Sequence, residues 1–123
     1  MDAPEHFEMA DGYACYRPAG QVTFEEASAM VRRAIAFARD HQVRKLLVDG
    51  TNLRGIKKPD TYDRFQMAER WAAVARSSVI VGLVVKAELI DERRFGMTVA
   101  RNRAFLANVF TSEAEALSWL LAQ

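Results

Sequence analysis

Cysteine is nearly absent from these 123 residues. Cys15 stands alone, so no intramolecular disulfide can form and a four-cysteine metal site is excluded. A lone cysteine in a strand serves most simply as a small core hydrophobe. Histidine is scarce as well. His6 and His41 are far apart, and neither has a cysteine or histidine at ligand spacing, which argues against zinc. No apolar run approaches the roughly 20 residues of a membrane span. The opening stretch MDAPEHFEMADGY is acidic and lacks the apolar segment of a signal peptide. An excess of one charge is also missing, since 17 basic and 16 acidic side chains leave a net charge of +1. That balance gives no broad electrostatic footprint for nucleic acid or an anionic membrane. No Gly-Lys-Ser/Thr ending makes a phosphate loop of GTNLRGIKK. No Gly-x-Ser-x-Gly string or Cys–His pairing marks a nucleophile. The expectation is a cytoplasmic protein with no cofactor, no metal, no nucleic-acid partner and no integral membrane association.

What is present is an ordinary globular mix, 50% hydrophobic and 27% charged. It suits one domain over residues 1–123 with a real core. His6 to Met9 and Tyr13 to Arg17 read as strands joined by an Asp11-Gly12 hairpin turn. Thr23 and Glu26 form a capping box for a helix whose stripe is Phe24, Ala27, Val31, Ala34, Ile35 and Ala38. Arg44 to Val48 is a buried strand. A second helix from about Asp60 to Arg76 carries two adjoining apolar stripes. Phe65, Ala68, Ala72 and Ala75 form one; Met67, Trp71 and Val74 form the other. That arc is wider than one sheet needs. Val79 to Val85 is a β-branched strand containing Gly82. Asp91 opens a third helix with Phe95, Val99 and Leu106 inward and Asn102 near the stripe. Asn108 to Thr111 is a strand. Ser112 and Glu115 open a last helix with Leu117, Leu120 and Leu121 inward. The order β-β-α-β-α-β-α-β-α implies an α/β fold. Parallel strands follow from right-handed crossovers, and the initial hairpin makes the sheet mixed.

This order resembles the SpoIIAA-like branch of the STAS domains, which are anti-sigma-factor-antagonist-like. So do the strings GQVTFEEA, LLVDGTNLRG, VARNRAFLANVF and EAEALSWL. The likeness runs from about Phe7 to Leu121. Some of these domains are also similar to the lipid-binding domain of the Sec14 type. The resemblance implies an α/β sandwich with most helices on one side of a mixed, mostly parallel sheet. It further implies protein–protein regulation, often through phosphorylation of a serine or threonine that opens the helix after the central strand. Here residues 59–63 read Pro-Asp-Thr-Tyr-Asp, without the serine or the glycine that follows it. Thr61 is the hydroxyl at a comparable place, and Thr51 lies nearer the strand end.

The residues themselves offer several readings of the loop after the central strand. Ligands of open α/β sheets lie outside the carboxyl ends of strands. Asp49, Thr51, Arg54, Lys57 and Lys58 fall there, with Arg93 and Arg94 after the next parallel strand. Together they suggest a site for a small anion or lipid-like ligand, or a docking patch for an acidic partner. The plainer reading is a solvated surface, neutralised by Asp60, Asp63, Asp91 and Glu92. Asp49 reads either as an Asx-turn acceptor for the amides of Thr51 and Asn52 or as a carboxylate of an enzyme. If no second helix covers Met67, Trp71 and Val74, the stripe is an interface and a homodimer follows. The reading that gathers most of these features is a non-enzymatic regulatory or protein-interaction domain of unknown partner. Its alternative is an anion- or lipid-binding module at the sheet's carboxyl edge.

Overall fold

The computed structural model describes residues 2–91 and 95–123. Five strands form one sheet in the order β1-β2-β4-β6-β7. They are β1 (Phe7–Ala10), β2 (Tyr13–Tyr16), β4 (Lys45–Asp49), β6 (Ile80–Val84) and β7 (Ala107–Phe110). The β1–β2 hairpin is antiparallel, and the remaining neighbours pair in parallel. The sheet is therefore mixed, as the chain order requires.

Alternation along each strand assigns its two faces. Ala14, Tyr16, Leu46, Val48, Val81 and Leu83 point into the larger core. Helices α1 (Phe24–Asp40), α2 (Thr61–Ala75) and α3 (Phe95–Asn102) cover that side. Cys15, Leu47, Ile80 and Val84 point the other way, against Ala116 and Leu120 of α4 (Glu113–Leu121).

Local sequence explains where the helices begin. The Thr23 hydroxyl accepts from the Glu26 amide at 3.1 Å, and Glu26 accepts from the Thr23 amide at 2.9 Å. Asp60 and Asp63 make the same reciprocal pair at α2, at 2.8 and 3.2 Å. Two orphan donors are satisfied at each helix start. Arg76, in a left-handed conformation with φ 49°, ends α2.

Three features differ from the sequence reading. Two-residue strands β3 (Gly20–Gln21) and β5 (Leu53–Arg54) form a separate parallel pair. It ties the loop after β4 to the approach of α1, and the Val22 amide donates a hydrogen bond to the Arg54 carbonyl at 2.8 Å. The α3 helix stops at Asn102, which is exposed and not near a core stripe. The left-handed Ala104 (φ 59°) then turns the chain. Phe105 becomes the buried side chain, and Leu106 is 42% exposed. In α4 the inward row is Ala116 and Leu120, one helical turn apart, which leaves Leu121 exposed. The helix-opening role of Asp91 falls on residues outside the described set, as does the Phe95 side chain.

Candidate functional site at the carboxyl edge of the sheet

Strand parity splits this edge into two sites. Asp49 shares its face with Leu47 and so turns toward α4. It is 8% exposed. One carboxylate oxygen accepts from the Thr51 amide at 2.9 Å and the Thr51 hydroxyl at 2.6 Å. The Asx turn is thus made by both donors of Thr51. Asp49 also hydrogen-bonds Glu113, the first residue of α4. Both oxygens of Glu113 accept from the Arg17 guanidinium, each at 2.8 Å. Burial, then the hydrogen bond with Glu113, raises the Asp49 pKa, while Thr51 opposes the shift. Arg17, then Asp49, holds Glu113 down at about 2. Of the two carboxyls, Asp49 is the one more readily protonated. The cluster joins the end of β2, the end of β4 and the start of α4.

A pH dependence follows from these directions. Glu113 is depressed from 4.5 to about 2. Its pairing with Arg17 stabilises the fold above about pH 4.5, and that contribution disappears as pH falls toward 2. Asp49 acts in the opposite sense, since its raised pKa removes stability as pH rises past the ordinary aspartate range. Both partners of the ion pair are about a third or more exposed. Glu113→Gln should therefore cost only about 1 kcal/mol at neutral pH. The same variant should lose the acid-sensitive step between pH 4.5 and 2, read by urea unfolding across that range. Cys15 lies on this face, and burial pushes its thiol up to about 11. It should react with a disulfide reagent only at the rate of unfolding, measured by thiol titration with and without urea.

The opposite face of the same edge holds a cavity of about 120 Å³. Val48 and Leu83 form its floor, Met67 and Trp71 of α2 one wall, and Leu53 and Leu89 part of its rim. The loop after β5 and the 3-10 turn Ala87–Leu89 meet over it. Arg64 fastens them together by donating to the Pro59 carbonyl at 2.7 Å and the Leu89 carbonyl at 3.0 Å. A second hollow of about 210 Å³ adjoins the first and shares Leu53, Ile56 and Leu89 with it. Arg54, Lys58, Lys86 and Glu88 also line this hollow.

Of the stripe Met67, Trp71 and Val74, expected as an interface if no helix covered it, Trp71 is covered by α1. Trp71 is 2% exposed, and its indole N–H donates to the Ser28 carbonyl at 3.0 Å. Arg39 donates to the Val74 carbonyl at 2.6 Å. Met67 and Val74 are half-buried against the core. The wide apolar arc of α2 packs against α1 and α3 and joins the core over the sheet.

The expected anion-site residues do not form one group. Arg54 and Lys58 line the basic hollow. Lys57 is exposed and lines neither cavity. Asp49 and Thr51 belong to the α4 side. Arg93 and Arg94 lie outside the described residues. Thr61 is exposed as the first residue of α2, followed by Tyr62 at 65% exposure. Sequence reasoning missed Arg64 and Lys86. Lys86 follows β6 closely and satisfies the same carboxyl-edge rule that selected Arg54. Arg64 looks like any helix-surface cation, and only the tertiary approach of Pro59 and Leu89 gives it a role. No group of three or more potential metal ligands occurs among the described residues. Nor is any described helix long and apolar enough to cross a membrane.

The element order, the mixed five-stranded sheet and the three-plus-one helix layers define a SpoIIAA-like α/β fold. A crystal structure of an anti-sigma factor antagonist from Mycobacterium paratuberculosis is similar over 94% of this chain and 91% of that chain. Its TM-score is 0.57 at 16% sequence identity. An uncharacterized protein with a SpoIIAA-like fold from Shewanella loihica matches over 93% of this chain and 90% of that chain. Its TM-score is 0.45 at 17% identity. No family model and no curated protein matches the sequence.

Proposed function

We propose that this chain is a non-enzymatic regulatory domain of the STAS type, acting through a protein partner at the edge where α2 begins. The observation that carries this reading is the exposure of Thr61 and Tyr62 at the first turn of α2. They present a hydroxyl and a large aromatic to solvent on a helix fixed by its capping box. The similar fold of an anti-sigma factor antagonist supports it. A phosphate on Thr61 would gain from the helix N-terminus and lose from Asp60 and Asp63 beside it, so modification there would change a docking surface strongly. Asp49 fits this reading as a structural carboxylate. It lines neither cavity, and its partners Thr51 and Glu113 are accounted for. With Trp71 in the core, no homodimer through α2 enters the proposal.

The test is affinity capture from cell extract with the wild type, Thr61→Glu and Tyr62→Ala, followed by mass spectrometry. The expected result is one protein retained by the wild type and lost from both variants, with all three melting alike. Identical capture by all three, or none, overturns the reading.

A second reading is a binding module for a small anionic or lipid-like ligand. The adjoining apolar and basic hollows favour it specifically.

A further inference from the structure

The two hollows differ in chemistry and meet along one rim. The inner one is apolar, bounded by the sheet floor and Trp71. Its 120 Å³ is close to that of an engineered apolar cavity of about 150 Å³ that stays dry and admits benzene. It therefore has room for about six carbon atoms. Among the described residues the outer hollow carries Arg54, Lys58 and Lys86 with Glu88, and Asp91 lines the inner one. Leu53, Ile56 and Leu89 belong to both, so a single molecule can lie across that rim. Arg64 adds a further cation at the seam, where it meets the main-chain carbonyls of Pro59 and Leu89.

We propose that the joined hollows bind one single-chain anionic amphiphile, with its tail against Trp71 and Leu83 and its headgroup among Arg54, Lys58 and Lys86. This rests on the second reading above and names its ligand class. Burial of each methylene contributes about 0.8 kcal/mol, so a tail of six to eight carbons supplies most of the affinity. The cations select the anionic end. A neutral alcohol of the same length fills the cavity without that contribution. A short anion gains the headgroup contacts without the tail. Arg64 is the positioning residue for the rim, because its two bonds hold the loop after β5 against the 3-10 turn.

The test is thermal unfolding of the full chain with octanoate, octyl phosphate, octan-1-ol, butyrate and inorganic phosphate. Octanoate and octyl phosphate should each raise Tm by roughly 5 °C at tenfold over Kd. The better of the two identifies the headgroup as carboxylate or phosphate. Octan-1-ol should bind at least tenfold more weakly, and butyrate and inorganic phosphate should leave Tm unchanged. The double variant Lys58→Glu/Lys86→Glu should melt as the wild type does without ligand. It should reduce both amphiphiles to the affinity of octan-1-ol. Leu83→Phe should fill the cavity and abolish binding of all three eight-carbon probes. If it fails to fold, the charge variant still decides. Stabilisation by butyrate or phosphate equal to that by octanoate overturns the amphiphile and leaves the anion reading standing. No stabilisation by any probe overturns both.

Discussion

Trp71→Ala should destabilise the protein by about 3–5 kcal/mol. The side chain is 2% exposed, and its indole N–H is satisfied by the Ser28 carbonyl of α1 at 3.0 Å. Truncation removes the apolar contacts between α1 and α2 and leaves that carbonyl to find another donor. It also enlarges a cavity that already measures about 120 Å³, so little relaxation can offset the loss. A small domain has about 5–15 kcal/mol in total, and the variant should stand near its unfolding midpoint in dilute urea. Trp71→Phe should cost less, because the ring volume is mostly kept. Urea unfolding of both variants checks the order. A loss below about 1 kcal/mol for Trp71→Ala would place the residue at the periphery and restore an interface through α2.

Gly82→Leu should cost about 3 kcal/mol, whereas Gly82→Ala should cost under about 1 kcal/mol. Gly82 lies in β6 where α4 crosses closely. A Cβ there would meet the Ala116 carbonyl oxygen at 3.4 Å, the Ala116 Cβ at 3.7 Å and the Leu120 Cβ at 3.8 Å. One methyl is accommodated by ordinary contact. The branched end of a leucine has only the α4 backbone to push against. The helix would then lift from the sheet and carry Glu113 away from Arg17 and Asp49. The acid-sensitive step below pH 4.5 should shrink in Gly82→Leu and persist in Gly82→Ala. Thermal unfolding at pH 7 and pH 3 separates the two. Equal stability of the two variants would mean that α4 packs loosely over β6.

Much of the fold was legible because several local signals agreed. Thr23 with Glu26 marked the start of α1, and Asp60 marked that of α2. The β-branched run around Val81 marked a buried strand, and the Asp11-Gly12 pair marked the hairpin. The chain order then required parallel pairing. What failed to show had particular causes. Two-residue strands such as Leu53–Arg54 have no period to detect. Leu106 matched the helical spacing of Val99, but the left-handed turn at Ala104 shifts the phase and puts Phe105 inside.

The candidate site was legible only in part. Asp49 and Arg54 are five residues apart and looked like one constellation. Asp49 points to the α4 face by strand parity, while Arg54 belongs to the short β3–β5 pair above the other face. The stripe of Met67, Trp71 and Val74 signalled a partner correctly in chemical terms. Sequence alone did not show that the partner is α1 of the same chain. Arg64 and the cavity beneath it depend on the meeting of Pro59 and Leu89, 30 residues apart, and have no sequence signature.

We propose binding on the three-helix side of the carboxyl edge, with the Asp49–Glu113–Arg17 cluster as a local link between β2, β4 and α4. The most direct test is a map of backbone amide and indole chemical shifts of the wild-type protein as octanoate is added. The expected shifts concentrate at Leu53 to Ile56, at Lys86 to Leu89 and at the Trp71 indole. Shifts concentrated at Arg17, Asp49 and Glu113, or spread evenly over the surface, would contradict it.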